Sequence, residues 1–205
     1  MNSCERPAEG RARPARPEDA DALAAIYRPY VEKTAVTFEY EAPDADEMLV
    51  RLRAVTERYP WLVWEGGGRV EGYAYASPFQ ARAAYDRSAQ VSVYVREDCR
   101  GQGIGHALYA ALEEILKRQR VTNVYACIAS PRPDNTRLDD GSIRFHAALG
   151  FRLAGTFCRC GNKFSQWYDM CWMEKFLGGH GDPDEPFVPF SRLEETTGEE
   201  RKKTT

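Results

Sequence analysis

Apolar residues recur at helical spacing twice near the amino end of the chain, and the pattern then shifts toward strands. Ala20, Leu23, Ile26, Tyr27 and Tyr30 fall on one face of "PEDADALAAIYRPYVEK", with Pro17 in the first turn and acids beside the amino end, which predicts a helix. Met48, Leu49, Leu52 and Val55 predict a second over "PDADEMLVRLRAVTERY", ended by Pro60. "RARPAR" reads as a short edge strand and "AVTFEYE" as a short extended segment. A hairpin follows, "WLVWE" and "RVEGYAYASP" about the turn "GGG", and then the strand "QVSVYV". Ile104, Ala107, Leu108, Ala111, Leu112, Ile115 and Leu116 form one stripe of a third helix. "VTNVYACIAS" returns as a strand, "GSIRFHAALG" is a short helix with Gly150 just past its end, and "FRLAGTFCRCGNKFSQWYDMCWMEKF" is a closing hairpin. The order predicts an α/β (α+β) fold, with a mixed sheet of about six to seven strands flanked by about four helices.

The pattern spans residues 11–177 as one domain. Residues 1–10 are expected to be disordered and residues 178–205, turn-rich and charged, to form a mobile tail. A net charge of −3 gives no basic field for nucleic acid or an anionic membrane, and no apolar run reaches the length of a span. A soluble, cytoplasmic protein is expected. Six scattered cysteines without C-x-x-C and only three histidines suggest reduced thiols, with no zinc site and no disulfide framework.

The chemistry concentrates after "QVSVYV", where Arg100-Gly101-Gln102-Gly103-Ile104-Gly105 runs into the third helix. A P-loop requires Gly-Lys-Ser/Thr, which is absent; a dinucleotide fingerprint requires a third glycine where His106 or Leu108 stands. What remains is a turn whose glycines aim successive N–H groups at an anion in front of a helix N-terminus, suited to a pyrophosphate.

This loop resembles the Q/R-x-x-G-x-G/A signature of the GNAT superfamily of N-acetyltransferases. "RPEDADALAAIYRPYVEKTAVTFEYE", "RYPWLV", "GYAYASPFQARAAYD", "VSVYV", "SIRFHAALGF" and "WYDMCWMEK" resemble its phosphinothricin acetyltransferase branch in order and spacing. The resemblance implies the GNAT fold, with the sheet splayed where the acyl-CoA lies, and acetyl transfer from acetyl-CoA to a small amino-acid-like amine such as phosphinothricin or methionine sulfoximine. It implies that Arg100, Gly101, Gln102, Gly103, Ile104, Gly105 and His106 hold the pyrophosphate, and that Val93, Tyr94 and Val95 hold the acetyl-pantetheine end. It also implies a homodimer and no metal.

Site residues follow by the same resemblance. The branch's glutamate three residues before Val-Tyr-Val is here Gln90, which cannot take a proton. His146 matches the branch's active-site histidine and is assigned the proton transfer, with Gln90 orienting the amine; loss of the proton to solvent stays open. Phe38, Arg82 and Tyr85 match the acceptor pocket, and an arginine fork suits a carboxylate or phosphinate. The stretch "PRPDNTRLDDG" is longer than the branch's connection, and Asp139 replaces an asparagine three residues before Ser142, altering contacts expected for the pantetheine. Two other functions fit the same residues: an acyl-CoA-binding sensor without turnover, and an acetyltransferase of a protein N-terminus.

Overall fold

A computed structural model describes residues 9–133, 135–181 and 185–193. The elements are β1 (Gly10–Pro14), α1 (Ala20–Lys33), α2 (Ala45–Thr56), β2 (Trp61–Gly66), β3 (Arg69–Pro78), β4 (Ser88–Val95), α3 (Ile104–Arg118), β5 (Asn123–Ser130), α4 (Gly141–Ala148), β6 (Arg152–Lys163) and β7 (Gln166–Phe176). The strands form one sheet in the order β1-β2-β3-β4-β5-β7-β6, in which β4 and β5 are the parallel pair.

Alternation along the central strands fixes two cores. Leu62, Trp64, Ala74, Ala89, Val91 and Val124 point to the face covered by α3 and α4, where they meet Leu108, Tyr109 and Leu112. Trp61, Val63 and Tyr73 point to the other face, under α1 and α2, and pack on Leu23, Tyr27, Val31 and Leu52. β2 and β3 are thus buried on both sides, whereas β6 is largely exposed.

Two expectations change. "AVTFEYE", read as a short extended segment, joins no ladder: residues 35–37 and 40–41 are bends, and the Thr37 carbonyl accepts from Lys163 Nζ at 2.8 Å. Residues 185–193, expected in a mobile tail, lie against the body: Phe190 is 4% exposed, Phe187 packs on the Tyr59 ring at 5.3 Å, and Gln119 Nε2 donates to the Val188 carbonyl at 2.9 Å. Of the start expected to be disordered, residues 1–8 lie outside the described residues and Gly10 opens β1, while 182–184 and 194–205 of the expected tail also lie outside them.

Candidate active site

The site begins where the sheet parts. β4 and β5 pair over Ser88↔Asn123, Ala89↔Val124 and Gln90↔Tyr125, and among the described residues the ladder stops there. Each strand keeps its other neighbour: β4 stays paired to β3 as far as Val95, and β5 to β7 as far as Ser130. The opening is a cleft of about 420 Å³, mouth included, with Val91, Val93, Ala126 and Ile128 among its walls and Tyr109 and His146 at one side.

Strand geometry decides which backbone groups face this cleft. Arg96 N–H donates to the Glu71 carbonyl at 2.9 Å, and Tyr94 lies opposite Tyr73, so the even-numbered residues of β4 spend their peptide groups on β3. Val91, Val93 and Val95 turn theirs toward the gap. At Val95 both groups are occupied by the Tyr30 hydroxyl of α1, which accepts from the N–H at 3.1 Å and donates to the carbonyl at 2.6 Å. Val93 is left presenting its peptide groups to the cleft. The Tyr94 ring packs away among Tyr27, Tyr30 and Tyr73 at 4.9–5.3 Å.

The glycine turn stands at the end of β4. A 3-10 turn at Glu97–Cys99 is fastened by Asp98, whose carboxylate accepts from Arg96 Nε at 3.0 Å and from an Arg69 amino group at 3.1 Å. Those bonds, Arg96 first, hold the Asp98 carboxyl well below the usual range. Gly101 and Gly103 both have φ of +78°, a left-handed conformation costly for any residue with a Cβ. Gly103 is the N-cap of α3 and supplies no side chain, so the first-turn N–H groups at Ile104, Gly105 and His106 lack intrahelical partners and carry the positive end of the helix. Gly105 lies against the Phe145 ring, and His106 meets the same ring edge-on at 5.1 Å. Gln102 Nε2 turns back to the Asp98 carbonyl at 3.4 Å, while the Arg100 guanidinium lies 4.9 Å over Tyr30. A second helix end, that of α4, is near: Asp139 accepts the Gly141 N–H at 2.8 Å and Ser142 lines the cleft.

His146 is 4% exposed. Its Nδ1 is 2.7 Å from the Ser142 carbonyl, which can only accept, so Nδ1 carries the hydrogen and Nε2 is free to accept from the Tyr109 hydroxyl at 3.1 Å. Burial, partly offset by the Ser142 bond, holds the imidazole below its ordinary pKa and keeps it neutral near pH 7. Gln90 lies elsewhere. Its neighbours Ala89 and Val91 point to the α3 face, so Gln90 points to the α1 face, opposite His146 and Tyr109.

The acceptor residues also divide. Phe38 sits over Gly161, where a Cβ would fall 2.2 Å from its ring, and near Tyr168. Arg82 and Tyr85 are exposed on the β3–β4 connection, with Tyr85 against Phe79, which stacks on Tyr125 at 4.2 Å. Phe38 thus neighbours Tyr168, one residue past the Asp169↔Ser130 pair, whereas the Tyr85–Phe79 pair neighbours Tyr125 nearer the start of β5. Near Phe38, Glu39 takes a two-point contact from Arg51 at 2.9 Å and another bond from the Tyr27 hydroxyl at 2.9 Å. Burial opposes the Glu39 charge, but these bonds prevail and hold the carboxyl below its usual range. Among the described residues no three or more His, Cys, Asp or Glu are grouped to hold a metal ion, no helix is long and apolar enough to cross a membrane, and the cysteines are free.

The sequence profile of the acetyltransferase (GNAT) domain matches residues 13–172, a span that includes the parted strand pair and the glycine turn. The chain belongs to the GNAT acetyltransferase family. Within this family it is 36% identical over 177 residues to a phosphinothricin N-acetyltransferase of Streptomyces viridochromogenes, covering 86% of this chain and 92% of that one. It is 30% identical over 167 residues to an L-methionine sulfoximine/L-methionine sulfone acetyltransferase of Salmonella typhimurium, covering 81% and 94%. The crystal structure of a GNAT phosphinothricin acetyltransferase from Sinorhizobium meliloti in complex with AcCoA superposes with a TM-score of 0.79 at 33% identity, over 89% of this chain and 97% of that one.

Sequence reasoning placed Tyr30 on the apolar face of the first helix but not its hydroxyl on Val95, and it passed over Tyr109 and Lys163, which carried no signal apart from the fold.

Proposed function

We propose that the protein transfers the acetyl group of acetyl-CoA to the amine of a small amino acid or analogue, phosphinothricin and methionine sulfoximine among them, by direct attack while both substrates are bound. The observation that carries this reading is the three-residue limit of β4–β5 pairing, which leaves the Val93 peptide groups facing a slot that ends at the α3 N-terminus. The pantetheine amides supply the missing ladder bonds, and the first-turn N–H groups of α3 take the pyrophosphate. The neutral amine nitrogen attacks the thioester carbon, negative charge collects on the carbonyl oxygen against the Val93 N–H, and the carbon–sulfur bond breaks.

The proton that leaves nitrogen ends on sulfur. Tyr109 and His146 serve this transfer: the phenol passes its hydrogen to Nε2 as its oxygen receives one, and the reverse movement delivers it to the thiolate. Gln90, on the opposite face, orients the incoming amine. Phe38 forms an apolar wall for the acceptor, and Arg82 offers its fork to an anionic group. The pocket is completed by a second copy, for which the exposed Leu153, Phe157, Trp167 and Phe176 on β6 and β7 offer apolar contacts. Exposed free Cys158 and Cys160 suit a reducing cytoplasm.

Thiol release from acetyl-CoA, measured against a panel of free amino acids and both analogues, tests the activity. Turnover with at least one of them is expected; tight binding of CoA with no thiol released from any would instead make the protein a sensor. Sedimentation equilibrium tests the assembly, with a dimer expected and a monomer at high micromolar concentration contradicting it.

A further inference from the structure

Lys163 closes β6 and is 2% exposed. Its ammonium donates to three main-chain carbonyls, Val31 at 2.7 Å, Thr34 at 3.0 Å and Thr37 at 2.8 Å. All three hydrogens are therefore used. Among the described residues no carboxylate lies within ion-pair distance of it; Glu39 acts on it only through its field. A buried cation satisfied by neutral oxygens and one aromatic face, that of Phe164 at 5.1 Å, is unusual, because long charged side chains are seldom taken fully out of water without an opposite charge.

The three carbonyls show what the cation is for. Val31 lies in the last turn of α1, where carbonyls lack helical partners, and Thr34 and Thr37 lie on either side of Ala35 and Val36. Val36 is part of the cleft wall, and Ala35 N–H donates to the Arg137 carbonyl beside Leu138, which lines the cleft from the long β5–α4 connection. The neighbouring β6 residues grip the same loop: Gly161 receives the Phe38 ring, and the Asn162 carbonyl accepts from the Tyr40 hydroxyl at 2.7 Å. Three consecutive residues of one strand thus hold the end of α1 and residues 34–40, which have no ladder of their own.

We propose that Lys163 is a positioning residue for the amine substrate, its ammonium setting the shape of the α1–α2 loop so that Val36 and Phe38 form the acceptor wall. This rests on the acetyl-transfer reading above. It assigns the larger effect of Lys163 to the amine, since the glycine turn is held by the separate contacts of Asp98 with Arg69 and Arg96, and Val36 is the one residue of this loop that borders the CoA slot.

The test compares Lys163→Met, of similar length and without charge, and Lys163→Arg, which keeps the charge, with the wild type. KM is measured for the best amine in the panel and Kd for CoA by calorimetry. Lys163→Met is expected to raise the amine KM at least tenfold with the CoA Kd changed less than twofold, and Lys163→Arg to restore part of the loss. An unchanged amine KM, or equal weakening of both substrates, would overturn the proposal, because general loosening of the fold has no reason to spare CoA. Should Lys163→Met fail to fold, hydrogen exchange on Lys163→Arg carries the test: faster exchange at residues 34–41 with residues 97–106 unchanged is expected, and an identical pattern refutes it. A wild type that acetylates no amine defeats the functional reading instead, an outcome visible before any variant is made.

Discussion

Replacing Gly103 with alanine separates the backbone shape of the glycine turn from its packing. A Cβ at Gly103 would meet nothing within 4 Å, so the substitution introduces no clash. It does place a side chain at φ +78°, which costs about 1–2 kcal/mol, less about 0.4–1 kcal/mol recovered because alanine restricts the unfolded chain. The net loss of stability is therefore about 0–1.6 kcal/mol, a fall in Tm of at most about 6 °C for a chain of this size. Binding responds more strongly. If relaxation of φ turns even one first-turn N–H of α3 away from the diphosphate, a hydrogen bond to a charged group worth about 1.5–3 kcal/mol is lost, or roughly tenfold to a hundredfold in affinity. Calorimetric titration with CoA and thermal melts, run on Gly103→Ala and on Gly178→Ala as a control in open space without positive φ, give both numbers. CoA affinity within twofold of wild type in Gly103→Ala would refute the idea that this left-handed turn shapes the anion site.

Three further outcomes follow from particular contacts. His146→Ala should lower kcat at least tenfold with the CoA Kd unchanged, and an unchanged kcat would remove the ring from the proton path. Because burial holds the folded His146 below its ordinary 6.5, the unfolded chain takes up the proton first, so stability is complete above pH 6.5 and declines as pH falls toward the folded value; urea melts between pH 7.5 and 5 should show this slope in the wild type and a flatter one in His146→Ala. Gln90→Glu, which restores a group able to accept a proton on the α1 face, should raise kcat/KM for the amine by at least fivefold, whereas no gain would mean that proton removal does not pass through this position. Phe190→Ala should cost about 3 kcal/mol in denaturant unfolding, and a change below about 0.5 kcal/mol would show that residues 185–193 add nothing to the fold.

Sequence reasoning reached furthest where one residue type is physically required. Two left-handed positions in three residues call for glycine, so the turn at Gly101 and Gly103 was legible without a structure, as were the helix stripes that periodicity marks. Tyr109 was not legible as a buried partner of His146: it lies beside the Leu108–Leu112 stripe, and is covered only because α4 approaches α3 from a second direction. Lys163 reads as an ordinary strand lysine until the α1–α2 loop is seen wrapped over it. The segment "EPFVPF" lies in a charged tail, yet Phe187 and Phe190 find seats made by Tyr59 and Arg58, which are remote in sequence. Motif order also says nothing of spatial neighbours: that Phe38 packs by Tyr168 and Tyr85 by Phe79 became visible only in the fold.

The break between β4 and β5 has a mechanical consequence. Both strands are anchored along their outer edges, so the berth cannot zip shut without tearing rungs from a neighbour, and it accepts only something as slender as a bare extended chain. On the reading proposed above, an acyl carrier lodged there would serve as an eighth strand, fastening two leaves of the sheet that otherwise meet over three residues. The protein's resistance to heat and proteolysis should therefore rise with the supply of that carrier.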